Sequence, residues 1–280
     1  MQDTKKILSV QDISCFGQCS NTVMLPVLSA AGLETVVLPT ALLSTHTGGF
    51  RDFTFLDTTA EMEKILAHFR ALSLRFSYLC TGYFGSPAQI SLLEQALPDL
   101  LAPDARRMID PVMGDHGSLY PTYTEEFVQE MRHLCRGADL ITPNLTEACL
   151  LADIPYFGAE YDKTKTDELF CRLHALGAHR VVLTGVMFDD STIGTLACEE
   201  GKTPFVTKAP YVDRRFHGTG DTLMAALIAH LVNGVGFEDA VAGAVAFVSD
   251  CIADTVPVMQ EHWYGLRFEG HLSKITKLIE

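Results

Sequence analysis

Four short stretches of this 280-residue sequence carry residue types suited to phosphoryl transfer. Gly218-Thr219-Gly220-Asp221 lies in FHGTGDT, just ahead of the apolar run Leu223–Val232. Asp110-Pro-Val-Met-Gly-Asp115, Thr142-Pro-Asn144-Leu-Thr-Glu147 and Thr184-Gly185 each follow a strand-like run. Phosphoryl transfer asks a protein for positioning and charge stabilisation more than for covalent help. Two glycines let backbone amides come close to a phosphate, and a helix N-terminus adds partial positive charge. An aspartate at that point repels phosphate, but it can accept the proton of an attacking hydroxyl. Asp110 and Glu147 suit a hydrated Mg²⁺, which takes few carboxylates and keeps several waters. Each stretch has a plainer reading. Asp221 could be a helix N-cap, Asp110 part of an Asp-Pro turn, and Glu147 a solvated first-turn carboxylate. Those readings do not explain why all four fall at the ends of predicted strands.

The elements that must position these residues alternate along the chain. Strand-like runs occur at Ile7–Val10, Thr35–Leu38, Ser77–Thr81, Arg107–Ile109, Leu140–Thr142 and Val181–Thr184. Helical patterns occupy Ser20–Ala31, Thr59–Leu72, Pro87–Leu97, Thr124–Cys135, Leu145–Leu151, Thr166–Leu176, Thr219–Asn233, Phe237–Thr255 and His271–Ile279. Ile193–Glu199 and Thr203–Thr207 read as an antiparallel hairpin around Glu200-Gly201. The alternation predicts an α/β fold: three layers, α/β/α, with a central, mostly parallel sheet. Ligands of such sheets bind beyond the carboxyl ends of the strands. No linker, repeat or low-complexity segment interrupts the pattern, so residues 1–280 are expected to form one domain.

The apolar content of 48% supports a full core, and the net charge of −14 argues against nucleic acid and anionic membrane partners. It leaves room for ATP, because Mg²⁺ and backbone amides supply positive potential locally. The N-terminal apolar run is short and ends at Asp12, and no uninterrupted apolar run is long enough to span a bilayer. The eight cysteines are scattered, with no C-x-x-C pair and a lone C-x₃-C at Cys15 and Cys19, which suggests reduced thiols in a cytoplasmic protein.

With these motifs in hand, the chain resembles the ribokinase-like superfamily, and within it the pyridoxal (pyridoxine, pyridoxamine) kinases, nearly end to end. The segments that carry the resemblance are Ile7-Leu-Ser-Val-Gln-Asp12, Gly17 to Asn21, Leu43-Ser-Thr-His-Thr47, Gly82-Tyr83 and the D-P-V-M-G-D, T-P-N-L-T-E and G-T-G-D motifs. The resemblance implies an ATP- and Mg²⁺-dependent kinase of vitamin B6 compounds, acting on the 5′-hydroxymethyl group. Asp221 would match the catalytic base, and Gly218, Thr219 and Gly220 the anion hole. Asp110 and Glu147 would match acidic Mg²⁺ and ATP positions, acting through water. Asp115, Thr142, Asn144, Thr184 and Gly185 fall at nucleotide-side positions. The loop Ala209–Phe216, with Val212 and Phe216, falls where adenine and ribose are covered. Asp12, Cys19, Leu43, Thr45, Thr47 and Tyr83 would line the pyridine pocket, with His46 beside them. Homodimerisation and a monovalent cation such as K⁺ are further family expectations.

Asp12 stands where the family usually has serine, Thr45 where it usually has asparagine, and Leu43 where it often has phenylalanine. A buried carboxylate at Asp12 needs a partner. A cationic substrate group would supply one and favour pyridoxamine; an arginine or the metal site would be other partners. Tyr83 suits contact with a flat heteroaromatic ring. His46, in a polar loop, suits substrate contact or a structural hydrogen bond. Arg214 and Arg215 lie just upstream of the glycine turn as additional positive charge. A hydroxymethylpyrimidine kinase and a catalytically silent B6 carrier are the competing readings. A sugar kinase fits less well, since the N-terminal segment leaves little or no lid.

Overall fold

The computed structural model describes residues 5–279. Its strands are β1 (Lys6–Phe16), β2 (Glu34–Thr45), β3 (Phe55–Asp57), β4 (Phe76–Thr81), β5 (Leu101–Ile109), β6 (Gly114–Asp115), β7 (Ser118–Leu119), β8 (Leu140–Ile141), β9 (Arg180–Asp189), β10 (Thr192–Glu199) and β11 (Phe205–Pro210). Its helices are α1 (Asn21–Ala30), α2 (Thr59–Ala71), α3 (Pro87–Leu100), α4 (Glu125–Cys135), α5 (Leu145–Ala152), α6 (Lys163–Ala175), α7 (Thr219–Val232), α8 (Phe237–Thr255) and α9 (Leu272–Thr276).

Nine strands form one sheet in the order β11-β10-β9-β8-β5-β4-β1-β2-β3. The six strands from β9 across to β2 run parallel, while β10, β11 and β3 pair antiparallel at the two margins. Side chains alternate across a strand, so the sheet feeds two apolar layers. Leu8, Val10 and Leu79 face α2 to α6, where Met62, Leu93, Phe127 and Leu169 are fully or almost fully buried. Ile7 and Cys80 face α1, α7 and α8, with Val27, Leu227 and Val241. Burying each such aliphatic side chain contributes about 1.5–3 kcal/mol. This is the three-layer α/β/α arrangement expected from the alternation of patterns.

Several elements differ in extent from the sequence reading, and the differences matter for the site. The first strand does not stop at Val10. It runs to Phe16, paired with β2 through Phe16↔Thr45, with a register shift between Gln11 and Ile13. Polar Gln11 and Asp12 break the apolar pattern, but a bulge lets the ladder continue past them. Thr184 and Gly185 do not follow a strand either. They lie within β9, which is prolonged by antiparallel pairing with β10. β3 has three exposed residues and no apolar alternation, so nothing in its sequence announced it. The last helical pattern shrinks to a 3₁₀ turn, Glu269–His271, followed by α9.

The segment Phe237–Val258, which includes α8, has a mean hydropathy of 1.5 and by length and composition is apolar enough to cross a membrane. Asp250 and Asp254 interrupt it, and Val241, Ala244 and Phe247 are buried against the core. Those contacts give it the character of a core helix.

Candidate active site

The glycine run opens α7. Gly218 is the N-cap residue, in the left-handed region at φ 74°, and no side chain caps the helix. A Cβ at Gly218 would collide with the carbonyl oxygen of Gln18, so the turn needs glycine for conformation and for space. The first amides of α7 are therefore free to face an anion. Asp221 is the third helical residue, not the N-cap that one sequence reading allowed. It is partly exposed, yet burial pushes its carboxyl up to about 6, with Asp12 adding repulsion and the Ser20 amide opposing both.

Asp110 follows β5 directly and faces α7. A Cβ built on Gly220 would lie 3.8 Å from its Oδ2. Burial first, then the charges of Glu147 and Asp221, raise the Asp110 carboxyl well above the usual range, and the Thr142 hydroxyl partly offsets this. Thr142 is 4% exposed, and its Oγ1 also lies 3.6 Å from Met224 Sδ. Glu147 is not the solvated carboxylate that its first-turn position allowed. It is 4% exposed. Its Oε1 accepts from the Met113 amide at 3.0 Å and its Oε2 from the Asn144 amide at 2.9 Å. Asn144 returns the bond, accepting from the Glu147 amide at 2.9 Å, and donates from Nδ2 to the Gly114 carbonyl at 2.8 Å. This capping box fixes the start of α5 and ties it to the Asp110–Asp115 loop. Burial raises the Glu147 carboxyl, while the amides of Asn144, Met113 and Gly114 hold it back.

Asp12 sits at the β1 bulge and is 6% exposed. Its Oδ2 accepts from Ser14 Oγ at 2.9 Å. Burial raises its carboxyl; the hydroxyls of Ser20 and Ser14 and the charge of His46 oppose that. Among the described residues no lysine or arginine pairs with it, which disposes of the arginine alternative. Cys19 lies beside Asp221 and Asp12, and burial pushes its thiol well up. Leu43 is buried at 3%, and Thr45 Oγ1 is buried without a partner. Tyr83 is partly buried near Asp12 and Tyr123. Thr47 is exposed. His46 proves to be buried, at 6%, among Phe50 and His217. Of the two roles left open for it, the structure supplies the hydrogen bonds: to the Tyr264 carbonyl at 2.9 Å and from the Gly48 amide at 3.1 Å.

The remaining predicted positions spread outward. The Thr184 amide donates to the Pro143 carbonyl, and Thr184 bridges Asn144 in parallel. Gly185, at φ +68°, faces open space. Asp115 is exposed on β6 and accepts from the His116 amide. Val212 is partly buried, and Phe216 packs on the α7–α8 layer. Arg215 is exposed; Arg214 is exposed too and lines a cavity of about 340 Å³ with Val256, Pro257, Met259 and Gln260. The sequence reading missed the segment His262–Tyr264, because nothing local in it told of its contacts with Gln18 and His46.

An open parallel sheet with carboxylates gathered at a glycine-opened helix defines a ribokinase-like phosphotransferase. The phosphomethylpyrimidine kinase family pattern matches residues 25–265. A pyridoxine/pyridoxal/pyridoxamine kinase of Bordetella avium is 30% identical over 263 residues, covering 89% of this chain and 85% of its own. The solved pyridoxal kinase of Lactobacillus plantarum superposes with a TM-score of 0.91 at 30% identity, over 99% of both chains. A candidate phosphomethylpyrimidine kinase of Bacteroides thetaiotaomicron, solved in a form with pyridoxal, gives 0.91 at 36% identity, over 98% of this chain and 96% of that one. The chain belongs to the phosphomethylpyrimidine kinase family, in its vitamin B6 kinase branch.

Proposed function

We propose that this chain transfers the γ-phosphoryl group of ATP to the 5′-hydroxymethyl oxygen of a vitamin B6 compound, with residues 5–279 acting as one kinase unit. The observation that carries the reading is the position of Asp221. It lies in the first turn of α7 beside that helix's uncapped amides, where its charge acts on Asp110 and the charge of Asp12 acts on it. In the reaction, Asp221 accepts the hydroxymethyl proton as that oxygen bonds to the γ-phosphorus. The bond from the γ-phosphorus to the β–γ bridging oxygen breaks, and ADP leaves. The Gly218–Gly220 amides take up charge on the transferring group. A base with its carboxyl near 6 is ionised at neutral pH and remains basic enough to take a proton.

The residues fit a Mg²⁺ ion bound mainly through water and nucleotide. Without a cation nearby, Asp110 is repelled by both Glu147 and Asp221. Among the described residues no group of three or more His, Cys, Asp or Glu side chains could enclose a metal. Asp110 would hold the ion, with Glu147 behind it, since both Glu147 oxygens already accept backbone amides. Such an ion supplies charge neutralisation of the phosphates. The cavity beside Arg214 has a size suited to a nucleobase.

The finer reading is a preference for pyridoxamine, whose aminomethyl cation would answer the buried Asp12 carboxylate. Exposed Phe16, Leu42, Phe55 and Leu56, grouped on β1 to β3, support a homodimer through that margin. Eight cysteines, all free, suit a reducing cytoplasm. The test is turnover with MgATP of pyridoxal, pyridoxine and pyridoxamine against an aminopyrimidine alcohol and ribose. Phosphorylation of the aminopyrimidine alone would overturn the substrate assignment, and no phosphorylation at all would favour a carrier.

A further inference from the structure

Trp263 is the single tryptophan of the chain, and it lies outside every helix and strand. It is partly buried between two segments that are distant in sequence. One is the 46–50 loop. The Trp263 ring lies 4.5 Å from the Phe50 ring, centroid to centroid, and a Cβ at Gly49 would meet its Cζ3 at 2.8 Å. The other is His217, whose ring it meets edge to face at 6.3 Å.

His217 immediately precedes Gly218, the left-handed N-cap of α7. Its ring is approached from two more directions. The His46 ring lies 4.8 Å away, tilted by 39°, and Gly48 comes too close to carry a Cβ. The 46–50 loop therefore reaches His217 directly and again through Trp263. The chain neighbours of Trp263 hold the opposite flank. The Tyr264 carbonyl accepts from the Gln18 amide at 3.2 Å, and His262 Nε2 meets Gln18 Oε1 at 2.8 Å. The Gln18 carbonyl is packed in turn on Gly218, leaving no room for a Cβ there.

Three consecutive residues thus reach both sides of the glycine turn. This matters because the turn has little to hold it locally. No side chain caps α7, and glycine frees the backbone that it lets approach a phosphate. Groups that act on a reacting centre must be held to within about 0.5 Å. Packed rings with preferred edge-to-face and offset contacts supply such a restraint.

We infer that Trp263 is a positioning residue of the anion hole: through His217 it holds the Gly218–Gly220 turn against the 46–50 loop and keeps the α7 amides aimed at the transferring phosphate. The inference rests on the kinase reading above and names the residue that fixes the phosphate-binding part of that site.

The experiment compares Trp263→Ala and Trp263→Phe with the wild type, each below its melting transition. Trp263→Ala should lower kcat by about 10², with KM for the vitamer near its wild-type value, because the turn is displaced and the vitamer pocket is not. Trp263→Phe keeps a ring against Phe50 and His217 and should recover most of the loss. A ring that only stabilised the fold would lower Tm and leave kcat of the folded enzyme unchanged, and that result would overturn the proposal. His217→Ala should also lose kcat, and the double variant should lose no more than the worse single one, since both residues act on one turn. Losses that multiply would assign them to separate roles and overturn it too. Calorimetric titration with MgADP and with a β,γ-imido analogue of ATP separates the inference from the reading beneath it. The additional phosphate of the analogue is the group that meets the turn, so Trp263→Ala should weaken the analogue more than ADP. If the wild type phosphorylates no vitamer and this differential weakening is still seen, the kinase reading fails and the role of Trp263 stands. If the wild type turns over and both nucleotides weaken equally or not at all, the role of Trp263 fails alone.

Discussion

The His46 ring donates from Nε2 to the carbonyl of Tyr264 at 2.9 Å, joining two residues 218 positions apart. The same carbonyl accepts the Gln18 amide, so one backbone oxygen spans the two loops that flank Asp12. With Nδ1 accepting from the Gly48 amide, these partners require the neutral, Nε2-protonated imidazole.

Acidification should loosen this junction. Burial lowers the affinity of His46 and of the adjacent His217 for a proton, and the His46 charge adds to the effect on His217. The unfolded chain takes up these protons near pH 6.5 while the folded chain resists. The stability they confer is therefore complete above that pH and declines as pH falls below it. Thermal melts between pH 7.5 and about 5.5 should show a falling Tm, with a shallower slope in His46→Gln.

Asp221→Asn should separate activity from stability. As loss of the proposed base, it should lower kcat by about 10²–10⁴, with vitamer binding retained. Because the folded carboxyl is raised to about 6 from an unfolded 3.8, its ionisation opposes folding at neutral pH. The variant should gain about 1–2 kcal/mol after allowance for solvent screening at a partly exposed group. Wild-type kcat/KM should drop as pH falls through about 6, and the variant should lack that limb. A variant that is inactive but no more stable would contradict the burial of this charge.

Asp12→Ser should cost pyridoxamine more than pyridoxine. If Asp12 faces the pyridoxamine cation as proposed, its removal costs about 2–3 kcal/mol, a factor of about 30–150 in kcat/KM for pyridoxamine. Steady-state kinetics on all three vitamers measures it; equal losses across the panel would assign Asp12 to the fold.

Glu147→Ala should be felt first in stability. It strips the acceptor from the Met113 and Asn144 amides and opens the capping box of α5. Unpaired buried amides cost about 1–3 kcal/mol each, so Tm should fall by several degrees. The Mg²⁺ concentration at half-maximal rate should also rise, since the Asp110–Asp115 loop loses an anchor.

Gly218→Ala tests the close approach directly. The new methyl would meet the Gln18 carbonyl from a left-handed backbone. The glycine turn and the 17–20 loop must then separate. Loss of turnover with both ATP and vitamer KM raised is expected, and an active variant would show that the turn tolerates displacement.

Most of the groups proposed for the reaction could be read directly from the chain. Asp110, Glu147, Asp221 and the glycine turn stand at element ends, and element ends follow from local pattern. The alternation of strands and helices likewise gave the layered sheet. Tertiary structure decided how these groups are used. Asp12 is buried at a bulge in β1, and a bulge arises from pairing with β2 that no single strand encodes. Glu147 spends both oxygens on amides because the Met113 loop is folded over α5. The 17–20 loop is met by Tyr264 and His262 through Gln18, and nothing local to either segment gives a sign of this. Burial, register and strain are properties of neighbours brought together by folding, so the chain supplied the groups and the assembled structure set their charge and direction.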